Sequence, residues 1–208
     1  MSLVNGYITR DRLKEAIGSK TAVHDNDFDR AIGAGARKID KWTGRYFYQD
    51  AVSSPRLFKA DDRTYVCVGD FADPDSMVIE TDDDGDGVFE TLWTADQWQP
   101  EPFVLYNGEP YTIISTTSRT REFPLGTRRP LVRATTKWGW DPATIPWQVE
   151  QANEYAATLF YRGKDQYGAS IGLIDQTEKM NADPLKLAME LVREFAVKGG
   201  TLYKPCSC

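Results

Sequence analysis

Histidine is almost missing from this chain, and His24 is the only one. A lone imidazole gives little support to a histidine-based metal centre or proton relay. Cysteine is scarce as well, limited to Cys67, Cys206 and Cys208. With one histidine beside them, they do not form the spaced set of about four ligands that a structural zinc needs. Cys67, in YVCV, reads as a small core residue, and Cys206 and Cys208 as free thiols of a polar tail in a reducing compartment. No apolar run approaches the ~20 residues that span a bilayer. The segment MSLVNGYITRDR also lacks the apolar stretch of a signal peptide. The expectation is therefore synthesis and folding in the cytosol, with no membrane partner. No Gly-x-Ser-x-Gly elbow, phosphate-binding loop or Gly-x-Gly-x-x-Gly fingerprint occurs, and Gly33-Ala34-Gly35 lacks both the third glycine and a preceding strand. Carboxylates are plentiful, but nothing singles out a catalytic pair. No catalytic residue and no cofactor is assigned, and an enzyme is not expected.

What the chain does have is packing surface. It is 208 residues long, with 41% hydrophobic and 27% charged residues, the profile of a folded protein with a real core. Between Phe28 and Phe47, apolar residues fall at Phe28, Ile32, Gly35, Ile39 and Trp42, which draws one stripe down a helix. Thr43-Gly44 stops that helix, because glycine accepts the left-handed conformation past a helix end. Gly33 and Gly35 lie inside it and each cost about 1 kcal/mol relative to alanine, which close approach of another backbone would explain. A first helix is expected over residues 9–17, capped by Thr9, stapled by Ile8 against Leu13 and ended by Gly18. His24-Asp25-Asn26-Asp27 supplies caps for the second helix.

From about Ser53 the period changes to that of strands. The candidates are Arg56–Ala60, Thr64–Val68, Ser76–Glu80, Val88–Trp93, Phe103–Leu105, Tyr111–Ser115 and Leu131–Lys137, separated by Asp, Gly and Pro clusters. Helical pattern returns after Asp141-Pro142. Pro146 suits a first turn, and Val149, Ala152, Ala156, Leu159 and Phe160 mark a buried face that Arg162-Gly163 would end. A glycine-rich loop, KDQYGASIG, follows. Asp183-Pro184 then opens a final helix from Leu185 to about Val197, stopped by Gly199-Gly200. Its face carries Leu185, Ala188, Met189, Val192, Phe195 and Ala196, widened by Leu187 and Leu191.

The predicted class is α+β. Residues 1–50 and 145–198 supply helices, 51–144 form an antiparallel β-sandwich or barrel-like domain, and 199–208 are a tail. Two domains in series would fit this order. One helical bundle with the β-domain inserted in it fits better, since the first 50 residues alone bury little core.

Three clusters invite a functional reading. Asp82, Asp84 and Asp86 match positions 1, 3 and 5 of a calcium-binding EF-hand loop, with Gly87 at the turn, but Trp93 stands where that loop places its bidentate Glu at position 12. A hairpin turn is the competing reading, because Asp and Gly supply the backbone conformations it needs. Trp93, Trp98, Trp138, Trp140 and Trp147 are either a sugar-stacking platform or interior filling at the seam between β-domain and helices. Arg119, Arg121, Arg128, Arg129 and Arg133 either bind phosphate or a partner's carboxylates, or pair internally with the Asp-rich hairpins. Charge is uneven. Residues 1–50 are net +2 with 9 basic and 7 acidic side chains, 51–145 net −7 with 9 and 16, and the rest net −1 with 7 and 8. An acidic middle argues against tight general nucleic-acid binding.

The helix ending in Thr-Gly-Arg and aromatics, RLFKADDRTYVCVGDF, the DDDGDGVFETLW hairpin, TTKWGWDPATIPWQVEQANEYAATLFYR, and DQYGASIG followed by DPLKLAMELV together resemble the head–tail connector (adaptor) proteins of tailed bacteriophages. The resemblance covers most of residues 7–196 and matches a subgroup with a strand-rich insertion between helix pairs. It implies a non-enzymatic virion protein at the head–tail junction. About a dozen copies would form a cyclic ring beneath a portal protein and above a tail-completion protein, and DNA would pass through the channel without specific binding. Interface candidates are Leu187, Leu191 and Phe195 of the final helix and Gly33 and Gly35 of the second. The alternative is a carbohydrate- or calcium-binding β-module with helical flanks, in which the tryptophans and Asp82, Asp84 and Asp86 would do the binding.

Overall fold

The computed structural model describes residues 5–20, 22, 24–105, 108–117, 121–126, 128–166 and 184–197. The chain divides into two compact units. One joins Met1–Arg45 to Ile145–Val197, and the other contains Tyr46–Thr144.

The helical unit is assembled from both ends of the sequence. Helix α1 (Arg10–Ile17) starts where Thr9 accepts a bond from the Arg12 amide, and it ends at Gly18 in the left-handed conformation. Both are local signals. Ile8 and Leu13 share an apolar cluster with Phe28 and Ile32. Helix α2 (Asp25–Thr43) begins earlier than the acidic turn predicts. His24 stands at its cap position without a side-chain cap bond, and Asp25 forms ion pairs with Arg10 and Lys14 of α1. Gly44 ends α2 at φ 69°.

Helix α3 (Trp147–Gln166) packs on α2 along the stripe that begins at Phe28. Gly35 is the point of closest approach, where a Cβ would sit 2.5 Å from Asn153 Nδ2 and 3.2 Å from the Ala157 amide nitrogen. Gly33 has nothing within 4 Å of such a Cβ and remains at the helix surface. Arg162-Gly163 does not end α3, which runs on to Gln166. The nine-residue α4 (Pro184–Val192) buries Ala188 and Val192 and gives way to a 3-10 turn over Arg193–Phe195. The bundle is tied off where the Val197 amide donates to the Thr43 carbonyl over 2.9 Å. The Gly-rich loop beyond Gln166, the Asp183 cap, the Gly199-Gly200 stop, Cys206, Cys208 and Arg119 lie outside the described residues.

The second unit is two antiparallel sheets, not a closed barrel. Strands β1 (Ser54–Phe58), β7 (Val132–Thr136), β3 (Val78–Thr81) and β4 (Thr91–Leu92) form one sheet in that order, and β2 (Tyr65–Phe71), β6 (Tyr111–Thr116) and β5 (Trp98–Glu101) form the other. Alternation places Val66 and Val68 of β2, Ile79 of β3 and Val132 and Ala134 of β7 in one buried core, as period-two strands require. One expected strand is displaced. Phe103–Leu105 lies outside any strand, with Phe103 and Val104 exposed and Leu105 half-buried, and the strand is Trp98–Glu101. Pro100 inside it hides the strand from a propensity reading, yet β5 is an edge strand, where a missing N–H costs little. Cys67 is half-buried on β2 rather than a core residue, and it is disulfide-bonded.

Candidate assembly surfaces and the acidic hairpin

The Asp-rich segment joins β3 to β4 and closes on itself. Asp82 is buried, and its two carboxylate oxygens accept from the Gly85 amide at 2.7 Å and the Gly87 amide at 2.8 Å. Asp84 accepts from the Asp86 amide at 3.1 Å, and Asp86 from the Val88 amide at 2.7 Å. Gly85 and Gly87 take φ of 79° and 99°, which side chains other than glycine's resist. Oxygens of Asp82, Asp84 and Asp86 lie within 4.8 Å of one another, and a hard cation prefers such ligands. Trp93 fills the place of the missing Glu and is buried against Phe123, 4.3 Å away and stacked. The carboxylates' first task is therefore to satisfy the backbone of a tight hairpin.

Four of the five candidate tryptophans are interior. Trp93, Trp98 and Trp138 belong to the β core, and Trp140 is buried 5.1 Å from Phe47. Trp138 donates to the Ser54 carbonyl and Trp140 to Asp70. They offer no stacking platform for a sugar. They are not alternate residues of one regular strand either, because Gly139 between them sits at φ 106° with its Cβ position occupied by the Tyr48 carbonyl. Trp147 alone is exposed.

The arginines do not neutralise the Asp hairpin. Arg133 forms a two-bond ion pair with Glu80 at 2.6 and 2.7 Å, and this pairing holds the Glu80 carboxyl below its usual range. Arg121 lies over Trp93 at 5.0 Å. Arg128 and Arg129 are exposed and make no ion pair among the described residues. Among the described residues no arginine of this run pairs with the aspartates of the hairpin, and Arg133 pairs internally with Glu80 instead.

In the helical unit, charge is buried where sequence periodicity gave no hint. The Tyr7 hydroxyl donates to Asp40, and Arg37 donates to the same carboxylate. Burial still dominates and pushes the Asp40 carboxyl up, since low dielectric penalises the charged form. Asn153, fully buried, accepts from the Tyr7 amide and donates to the Ile32 carbonyl, both at 3.1 Å. The one available clue was an amide interrupting the apolar face of Val149, Ala152 and Ala156.

Of the interface candidates, Leu187 is 38% exposed, as is its neighbour Met189 at 44%, while Leu191 and Phe195 are half-buried. Gly33 is at the surface, but Gly35 is covered by α3 of the same chain. The structure thus exposes Leu187 on α4, leaves Gly33 with open space around it, and buries Gly35 under α3.

No family model and no curated protein matches this chain. Solved structures do. A chain in the neck of an empty GTA particle computed with C6 symmetry aligns at a TM-score of 0.57 with 14% identity, over 94% of this chain and 92% of that one. This chain shares its fold with a particle-neck protein. A chain in the virion of a native gene transfer agent (GTA) particle aligns at 0.53 with 15% identity and the same coverage. At such identities the likeness is one of fold, and it runs through both units.

Proposed function

We propose that this protein is a virion structural component of the head–tail connector kind. Copies of it assemble as a ring beneath a portal protein, extend the DNA channel and receive a tail-completion protein on the far side. The observation that carries this reading is the likeness of fold, over nearly the whole chain, to a chain in a particle neck. The sequence resemblance to tailed-phage connectors supports it from an independent direction. The charge fits as well. At net −6, the protein repels rather than grips a polyanion, so DNA slides through without specific contacts. In this reading the exposed Leu187 and Met189 of α4, with Leu191 and Phe195 beside them, meet the portal, and Gly33 marks the side of α2 open to a neighbour.

Co-sedimentation with portal rings or tail-less capsids tests the proposal. Wild-type protein should pellet with them, and Leu187→Glu and Leu191→Glu should not, while keeping the helical circular dichroism of the wild type. Failure of the wild type to associate overturns the connector reading. Binding of both variants at wild-type strength removes α4 from the interface.

A further inference from the structure

The three-stranded sheet has a face turned away from its core. Val66 and Val68 of β2, Ile114 of β6 and Trp98 of β5 belong to that core. Strand alternation therefore turns Tyr65, Cys67, Ile113, Ser115, Gln99 and Glu101 the other way. Register sets them in two rows, Tyr65, Ser115 and Gln99 in one and Cys67, Ile113 and Glu101 in the next. None of the six is exposed. Ser115, on the middle strand, is buried, and its Oγ has no hydrogen-bond partner among the described residues. A buried hydroxyl normally has one.

Cys67 stands in the second row on β2, half-buried, with its sulfur in a disulfide. The sequence holds two other cysteines, Cys206 and Cys208. Within the chain, only these can be its partner. Both lie in KGGTLYKPCSC, residues 198–208. That segment brings apolar area in Leu202 and Tyr203 to match Ile113 and Tyr65, cations in Lys198 and Lys204 to match the Glu101 carboxylate, and backbone groups for the Ser115 hydroxyl. Three strands are about 10 Å across, a width that about four extended residues cover.

We infer that segment 198–208 lies across this face as a strap, fastened by a disulfide from Cys67 to Cys206 or Cys208. One of these two is then not the free thiol that the sequence suggests. The strap answers to redox conditions, and its reagents are low-molecular-weight thiols and disulfides of the glutathione class. In closing, Cys67 and its partner pass two electrons and two protons to an oxidised reagent, which leaves as two thiols. In opening, a reagent thiolate attacks the partner sulfur, and Cys67 leaves with the electron pair and takes a proton. A second reagent thiolate then displaces the first, which frees the partner as a thiol and releases the reagents as their disulfide. A reducing compartment keeps the strap open, and an oxidising one closes it. The bridge is internal to one chain, so the inference stands apart from the connector reading.

The test uses the full chain. Equal amounts of ¹⁴N- and ¹⁵N-labelled protein are equilibrated with oxidised glutathione, blocked with iodoacetamide, digested with trypsin without reduction and mapped by mass spectrometry. Cleavage after Arg63, Arg119 and Lys198 puts Cys67 in peptide 64–119 and both other cysteines in peptide 199–208, since Lys204 precedes a proline. The two peptides should appear joined, within one isotope, with one alkylated cysteine. Dithiothreitol and Cys67→Ser should each cause complete loss of the joined species. Hydroxyl-radical labelling reads the strap itself. Oxidation of Tyr65 and Ile113 should rise when residues 198–208 are deleted, a change that keeps the Val197 bond to Thr43, and should rise in Leu202→Asp/Tyr203→Asp as well. Unlinked peptides, a Cys206–Cys208 bridge beside an alkylated Cys67, or a link only between different isotopes overturns the inference. A joined species with Tyr65 and Ile113 labelled equally in all three proteins overturns the strap and keeps only the bridge. Failure to bind portal rings would change none of these readouts.

Discussion

Gly35 of α2 and Asn153 of α3 meet so closely that a methyl group on Gly35 would sit 2.5 Å from the Asn153 amide nitrogen. That nitrogen is not free to swing away, because it donates to the Ile32 carbonyl over 3.1 Å. The Ala157 backbone and the Ala156 methyl close the other sides at 3.2 and 3.3 Å. Gly35→Ala should therefore lose about 1–3 kcal/mol to overpacking, despite the better helix propensity of alanine. Gly33→Ala, with open space around it, should gain up to about 1 kcal/mol. Urea denaturation of the two variants should move the midpoints in opposite directions.

Asn153 also anchors the segment before α1, since its carbonyl oxygen accepts from the Tyr7 amide. Asn153→Ala should strand that buried amide and destabilise the helical unit by about 1–3 kcal/mol. Hydrogen exchange should show the loss first as faster exchange in residues 7–17. Unchanged protection there would mean that α1 is held by its apolar contacts alone.

Acid should act on α1 and α2 in two opposed ways. The hydrogen bond and charge of Lys14, aided by Arg10, hold the Asp25 carboxyl below the usual aspartate range. Its stabilisation is present above the unfolded value of about 3.9 and is lost as pH falls through the lower folded value. Asp40 is raised by burial, so its ionisation costs stability as pH rises through its folded value. Thermal midpoints measured over pH should show Asp25→Asn flatter than wild type below about pH 4, and Asp40→Asn flatter above it. Parallel curves for all three proteins would contradict both assignments.

In the acidic hairpin the three aspartates should not be equivalent. Asp82 is buried and holds two amides, so Asp82→Ala should cost the β unit about 1–3 kcal/mol. Asp84→Ala removes an exposed bond and should cost a few tenths of a kcal/mol, within the range of surface changes, about 0.5 kcal/mol. Titration calorimetry with calcium should give weak or no binding. Micromolar affinity, abolished by Asp84→Ala, would show that the carboxylates serve a cation as well as the turn.

Much of the chain's local architecture was written locally. Thr9, Gly18 and Gly44 fix helix ends through bonds within a turn of themselves, so their chemistry is readable without any partner. The alternation of Val66 and Val68, or of Val132 and Ala134, likewise reports a strand with one buried face. The interface candidates were only partly legible. Leu187 is on the surface as its apolar helix suggested, but Gly35 looked the same as Gly33 in sequence, and only the position of α3 separates them.

What tertiary structure alone decided are the relations between residues far apart. The pairing of β7 with both β1 and β3 brings Leu57, Glu80, Leu92 and Arg133 to one face, and no local period encodes that order. Pro100 sits in a strand because that strand became an edge. Asp82 makes its bonds to the Gly85 and Gly87 amides, local partners that hold it without the entropy of ordering a long arginine side chain. Residue periodicity determines which side of an element is buried. Which element covers it, and which apolar side chains are left over for another molecule, depends on how the elements pair across the chain, and those contacts are set by packing rather than by neighbours in sequence.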